Sequence, residues 1–367
     1  MSNWPKAKTV EVVLFLGVAL VGLLLIGEWM EARFARNEEN SFLFVYEEPE
    51  IDLFFVGSSQ FYFAVNPWVI NQETGLNPYG ITSSGQKFDS AYFLLKNALR
   101  IHDPEIVLID VYWRLLEQNF DFGQADFNMA RVVDEEIAEE FYQEGFPLSA
   151  KVRYSVKLLR YRDSLYTQGE ALMNRLVRRD AVIEEQPPAA PEPATERGEN
   201  AEEQSDRAVD GEPAKSDTAL NSERVTAFNR DRGFRFSNNI VGERELTEDN
   251  KFANYYFRSF SDRQVEFLSK MLELSRQEGV AAVMVSTPIP DESLAYVENY
   301  DRIHSILQEL ADNYDAYYLD FNSMTEPREQ FERVHFQDDN HLNTPGSVVF
   351  TRELIDQLEE RGIMSRR

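Results

Sequence analysis

Three kinds of apolar pattern run along this chain of 367 residues. The first is an unbroken run from Val10 to Ile26, interrupted only by Glu11. It has no polar face to turn to water, so it predicts a membrane-spanning helix rather than an amphipathic one. The second kind is a set of short runs: Ile51 to Val56, closed by Gly57, then Glu105 to Val111, Val280 to Ser286 and Ala316 to Phe321, with Asn77 to Thr82 as a weaker member. Their length and their bounding glycines and prolines predict buried strands. The third kind has helical spacing. Phe88, Tyr92, Leu95 and Leu99 predict a helix over 87–100, and Val265, Leu268, Met271, Leu272 and Ser275 predict another over 261–277. Two more are predicted, from about Asp291 to Asp312 and from Pro345 to about Arg361, the last with Thr344 as N-cap and Asn343 as a residue that can help cap it. Strand and helix alternate, which implies right-handed crossovers and a mainly parallel sheet with helices on both faces, a three-layer α/β/α arrangement.

The rhythm breaks between 113 and 260, a stretch too long for an ordinary connection. It reads as an insertion dividing one α/β domain into two segments, 45–112 and 261–367. Within it Glu184 to Asp217 is dominated by Pro, Ala, Glu, Asp, Gln and Ser with no aromatic residue, a composition that predicts a disordered acidic linker. The flanks of that linker carry enough Phe, Tyr, Leu and Arg to fold back as a cap over one end of the sheet.

The apolar run 10–26 belongs to an N-terminal segment, 1–30, read as an anchor. It is at the short end of what crosses a bilayer core, yet too long for most cleavable signal peptides, and the following GEWMEARF has no small-x-small cleavage pattern. Lys6 and Lys8 before it are balanced by Arg33 and Arg36 after it. Single early spans with short basic flanks place the rest of the chain outside, and Trp4 and Trp29 sit where interfacial aromatics belong. The expected location is therefore the membrane, single-pass, with the body of the protein extracytoplasmic.

Composition narrows the function classes. A formal charge of −27 excludes a protein that grips nucleic acid through phosphates. An acidic substrate would need a site departing from the average. The absence of cysteine excludes disulfides, thiolate catalysis and cysteine-ligated zinc. No cofactor and no metal are implied.

Two segments carry candidate chemistry. Ser59 lies just past the first strand, in VGSSQ, at the carboxyl end where open α/β sheets place their sites. By itself such a turn is more often only a helix cap. In FQDDNHLNTPG, residues 336–346, Asp338 precedes His341 by three in a turn ahead of a helix. A carboxylate so placed can accept from one ring nitrogen while the other faces a serine. The bland alternative is a surface histidine beside an acidic turn or a calcium ligand pair. His335 is the second candidate base. His102 and His304 are expected in structural or surface roles, Asp339 and Asn340 as turn residues, and Ser286, Thr287 and Pro288 as a strand end that can line the cleft.

The order of GSS after the first strand, SGQ after the second and D-x-x-H-L-N before the last helix resembles the SGNH (GDSL-like) hydrolase superfamily. Its membrane-anchored members are the nearest in flavour: the D-alanyl-transfer protein of teichoic-acid alanylation and the O-acetyltransferases of exopolysaccharides. The resemblance covers about 50–112 and 261–360. It implies Ser59 as nucleophile, His341 as general base, Asp338 as the residue orienting it, and the backbone N–H groups of Ser59 and Gly85 as oxyanion donors. The superfamily's Asn donor is missing from DVYWR, where Val111, Tyr112 and Trp113 stand instead. The implied function is a serine O-acyltransferase or esterase acting on a cell-surface polysaccharide or polymer, with a membrane-bound O-acyltransferase as partner. The competing expectation, from another class, is a catalytically inactive scaffold or glycan-binding partner of such an enzyme, and the missing Asn is its main support.

Overall fold

A computed structural model describes residues 6–34, 45, 50–162, 232–253 and 255–365. The linker expected over 184–217 lies outside them. The chain divides into two compact units.

The larger unit, residues 36–151 and 221–367, holds one sheet of five parallel strands: β1 (Leu53–Gly57), β2 (Pro78–Thr82), β3 (Ile106–Asp110), β4 (Ala281–Ser286) and β5 (Tyr317–Asp320), in the order β2-β1-β3-β4-β5. All five predicted strands are present. Every residue of β1, β2 and β3 is buried, as a sheet covered on both faces requires. Alternate side chains separate into two layers. Leu53 and Phe55, Ile106 and Leu108, Val283 and Val285, and Leu319 pack in one core with Phe350, Leu354 and Leu358 of the last helix. On the opposite face, α4 (Phe88–Leu99) packs against α5 (Asp262–Gln277), where Phe93 and Phe267 meet at 5.7 Å.

Two of the predicted helices differ in detail. The one expected over 291–312 is two, α6 (Asp291–Ala295) and α7 (Tyr300–Asn313). Between them Asn299 takes a left-handed conformation (φ 58°), which Asn tolerates better than most residues, and its side-chain amide donates to the Phe257 carbonyl at 3.0 Å. The last helix, α8 (Thr344–Glu360), is capped by Asn343 rather than Thr344. The Asn343 carboxamide oxygen accepts from the Gly346 N–H at 3.0 Å, while the Thr344 hydroxyl accepts instead from the Ser237 N–H at 2.8 Å.

Residues 113–151 and 232–260, read from sequence as part of the insertion, pack within this unit as short helices and loops. The Gly80 N–H donates to the Arg232 carbonyl, and the Ser261 N–H to that of Leu116.

The smaller unit comprises residues 1–35 and 152–220. Its long helix α1 (Lys6–Phe34) is long and apolar enough over Val10–Ala32 to cross a membrane, its most apolar 18 residues having a mean hydropathy of 2.7. Near its end Glu28 and Glu31 both pair with the Lys157 ammonium, at 2.7 and 2.6 Å.

Candidate active site

The sheet order fixes where a site belongs. From β1 the chain moves outward to β2, then crosses back to β3 on the other side of β1. The carboxyl ends of β1 and β3 therefore border the crevice that such a reversal opens.

At the end of β1 the chain turns sharply. A Cβ at Gly57 would lie 2.2 Å from the Asp110 Cβ, so only glycine fits beside β3. Ser58 caps the helix α2 (Ser59–Ala64), which precedes α3 (Pro67–Thr74), and the Ser58 Oγ accepts from the Gln60 N–H at 3.2 Å. The same Oγ donates to Asp110 Oδ2 at 2.6 Å, and the Ser58 N–H to that oxygen at 2.9 Å. The Tyr112 N–H donates to Asp110 Oδ1 at 3.0 Å. Asp110 is thus a buried bracket between the ends of β1 and β3. Burial pushes its carboxyl up to about 6, although the hydrogen bonds from Ser58 and Tyr112 pull it down.

This turn presents Ser59 as the first residue of its helix, with Oγ 2.9 Å from His341 Nε2. His341 comes from a tight hairpin in which Phe336 bridges Leu342 and the Gln337 N–H donates to the His341 carbonyl. Asp338 sits at the tip. Its Oδ1 accepts the backbone N–H groups of Asn340 and His341 at 2.9 and 2.8 Å, and its carboxylate meets His341 Nδ1 at 2.8 and 3.0 Å. Burial pushes the Asp338 carboxyl up, but the His341 hydrogen bond and charge, the Asn340 N–H and Lys251 outweigh it and hold it below its ordinary range. A carboxylate can only accept, so the proton is on Nδ1 and Nε2 is left to accept from the Ser59 hydroxyl. Phe63, one turn beyond Ser59 on α2, packs edge-on against the imidazole at 5.3 Å.

Gly85 lies in the turn after β2, the strand beside β1, with φ 66°, a conformation that excludes most side chains. Its N–H and that of Ser59 find no acceptor among the described residues. The structure therefore brings Ser59, His341 and Asp338 into one hydrogen-bonded chain and sets Gly85 at the same edge of the sheet.

The remaining histidines do other things. His335 Nδ1 accepts from the Glu332 N–H, closing a short helical turn. His102 Nε2 contacts the Val45 carbonyl at 2.5 Å. His304 Nδ1 meets Asp320 at 2.7 Å, and Asp320 also accepts from the Tyr300 and Ser323 hydroxyls and the Asn322 N–H. Ser286 is tied to the Tyr318 hydroxyl at 3.0 Å, and Thr287 donates to Gln60 Oε1 at 2.8 Å.

Three residues at the site escaped sequence reading. Asp110 was visible as the only charge at the end of a buried strand, a signal in itself. Asn340 is no mere turn residue: it is 3% exposed, with Nδ2 3.4 Å from the Tyr112 hydroxyl and 3.5 Å from His341 Nε2. Lys251 enters from the insertion, its N–H and ammonium both on Asp339, at 2.8 and 2.7 Å, and its ammonium also on Asn340 Oδ1.

No protein-family profile matches this chain, and no curated protein does. Among solved structures it is similar to a Bacteroides fragilis protein provisionally described as an acylhydrolase. That match has a TM-score of 0.37 and 10% identity, covering 89% of this chain and 98% of the other. A likeness of that size carries no chemistry across, so function has to be read from the site itself.

Proposed function

We propose that this protein is a serine acyl hydrolase or O-acyltransferase of SGNH-like type, with Ser59 as nucleophile, His341 as general base and Asp338 holding the imidazole. The observation that carries this reading is the 2.9 Å contact between the Ser59 hydroxyl and His341 Nε2, made across 282 positions of sequence, with an ionised carboxylate behind the ring. A glycan-binding scaffold has no use for a hydroxyl, imidazole and carboxylate held in proton-transfer order.

In the reaction, Ser59 Oγ attacks an ester or thioester carbonyl as His341 Nε2 takes its proton. The Asp338 carboxylate stabilises the imidazolium, and the backbone N–H groups of Ser59 and Gly85 receive the developing oxyanion. His341 then returns the proton to the leaving group, leaving an acyl-Ser59 ester. Water or an alcohol, deprotonated by the same imidazole, releases the acyl group. Acceptance by a sugar or polymer hydroxyl makes the protein a transferase, and the apolar helix α1 suits an enzyme working beside a membrane-bound acyl donor. Tethering there raises the local concentration of donor and acceptor.

The test is turnover of an activated acetyl ester by the purified full chain, with intact-mass detection of the acyl adduct. Wild type is expected to form an adduct at Ser59, Ser59→Ala none, and Asp338→Asn to fall by about 10⁴ in kcat. Equal turnover by wild type and Ser59→Ala would sink the assignment.

A further inference from the structure

Where the resemblance implies an amide donor, at the end of β3, this chain has Tyr112, whose phenol meets the Asn340 carboxamide instead. The orientation of that carboxamide is dictated chemically. The Lys251 ammonium can only donate, and it lies on Asn340 Oδ1. The NH₂ end must therefore face the other way, toward Tyr112 and His341. Both of its contacts are long, 3.4 and 3.5 Å, so its hydrogens are poorly used in the resting state. At 3% exposure it is also shielded from water that could use them. Nε2, its weaker partner, is the atom that takes the Ser59 proton. Once protonated it can no longer accept from the amide, and that N–H becomes free as negative charge grows on the attacked carbonyl.

We infer that the Asn340 side-chain amide is a third donor to the oxyanion formed at Ser59, held in its donating orientation by Lys251. This rests on the acyl-transfer reading above. It makes Asn340 a catalytic residue and Lys251 a positioning residue, and it gives the insertion a part in the chemistry. No bond to Asn340 forms or breaks. Its N–H donates to the anionic oxygen of the tetrahedral intermediate and is released when the carbonyl re-forms.

The experiment compares wild type, Asn340→Ala, Lys251→Met, Lys251→Arg, Tyr112→Phe and Ser59→Ala in two measurements. These are steady-state hydrolysis of an activated acetyl ester and inhibition by an aliphatic trifluoromethyl ketone, whose serine adduct carries the oxyanion. For Asn340→Ala, kcat is expected to fall about 10²–10³-fold with KM within threefold, and ketone affinity to weaken in parallel with kcat/KM. Lys251→Met should fall about tenfold and Lys251→Arg recover most of it, while Tyr112→Phe changes kcat less than threefold. A purely structural role would lower kcat without the parallel loss of ketone affinity, and that result overturns the inference. So does Asn340→Ala with kcat and ketone affinity within threefold of wild type while Ser59→Ala is inert. Tyr112→Phe losing what Asn340→Ala was expected to lose would transfer the donor role to the phenol and equally overturn it. If wild type and Ser59→Ala behave alike in both measurements, the acyl-transfer reading itself has failed.

Discussion

Asp110 shows how one buried carboxylate can shape the presentation of a hydroxyl, that of Ser59, which it does not touch. Its two bonds to Ser58 tie the turn from which Ser59 projects to the end of β3, and its bond from Tyr112 holds the chain just beyond that strand. Burial raises its pKa to about 6, above the ordinary 3.8. Between those values the unfolded chain has already lost this proton while the folded chain keeps it. The stabilising contribution is therefore complete below about pH 4 and is lost as pH rises through about 6. Asp110→Asn cannot ionise, so the stability difference between wild type and variant should shift against wild type by about 3 kcal/mol from pH 4 to pH 7. Urea unfolding at stepped pH measures this, and parallel curves would show that Asp110 titrates normally. Ser59, Asp338 and His341 were legible as candidates because each sits in a local pattern, a strand end or a short turn. Asp110 with Ser58 and Lys251 with Asn340 were not, because the partners lie 52 and 89 positions apart and nothing near either one announces the other.

Among the elements, α8 and the hairpin before it do the most to build the site. Asn343, 1% exposed, caps α8 through its carboxamide oxygen and donates through its nitrogen to the carbonyls of Asn239 and Val334 at 2.9 and 2.7 Å. With a longer contact to the Phe336 carbonyl at 3.4 Å, one side chain joins the last helix, the histidine hairpin and a segment of the insertion. Asn343→Ala should cost about 2–3 kcal/mol, since a cap is lost and two carbonyls lose their donor. Asn343→Asp keeps the cap but turns a buried carboxylate oxygen toward those carbonyls, so it should not recover the loss. Equal thermal midpoints for wild type and Asn343→Ala would show that the hairpin is held by other contacts. The strands were readable to within two residues because a sheet buried on both faces demands continuous apolar runs. The division between α6 and α7 was not, because the amphipathic pattern runs on past Asn299 and only a distant carbonyl explains the bend.

At the scale of the whole molecule, the sheet domain and the apolar helix belong to separate compact units. Reading α1 as a membrane anchor predicts that the full chain pellets with neutral phosphatidylcholine vesicles, and that a chain lacking residues 1–34 stays in solution and keeps its ester turnover. The lipid must be uncharged, because a chain of net charge −27 is repelled by anionic bilayers. A full-length chain that remains in the supernatant would refute the anchor. Alternation of strand and helix made the layered architecture legible. The cut through the insertion was not, since residues 113–151 and 232–260 complete the sheet unit through contacts that composition does not reveal.

The hydroxyl of Ser59 is synthesised 282 positions before the imidazole proposed as its base. On the proposed chemistry, a growing chain, or one cut ahead of its histidine hairpin, therefore carries an alcohol with no means of activation. Arming waits until the final hairpin docks, so an unfinished copy should neither capture acyl groups nor release them.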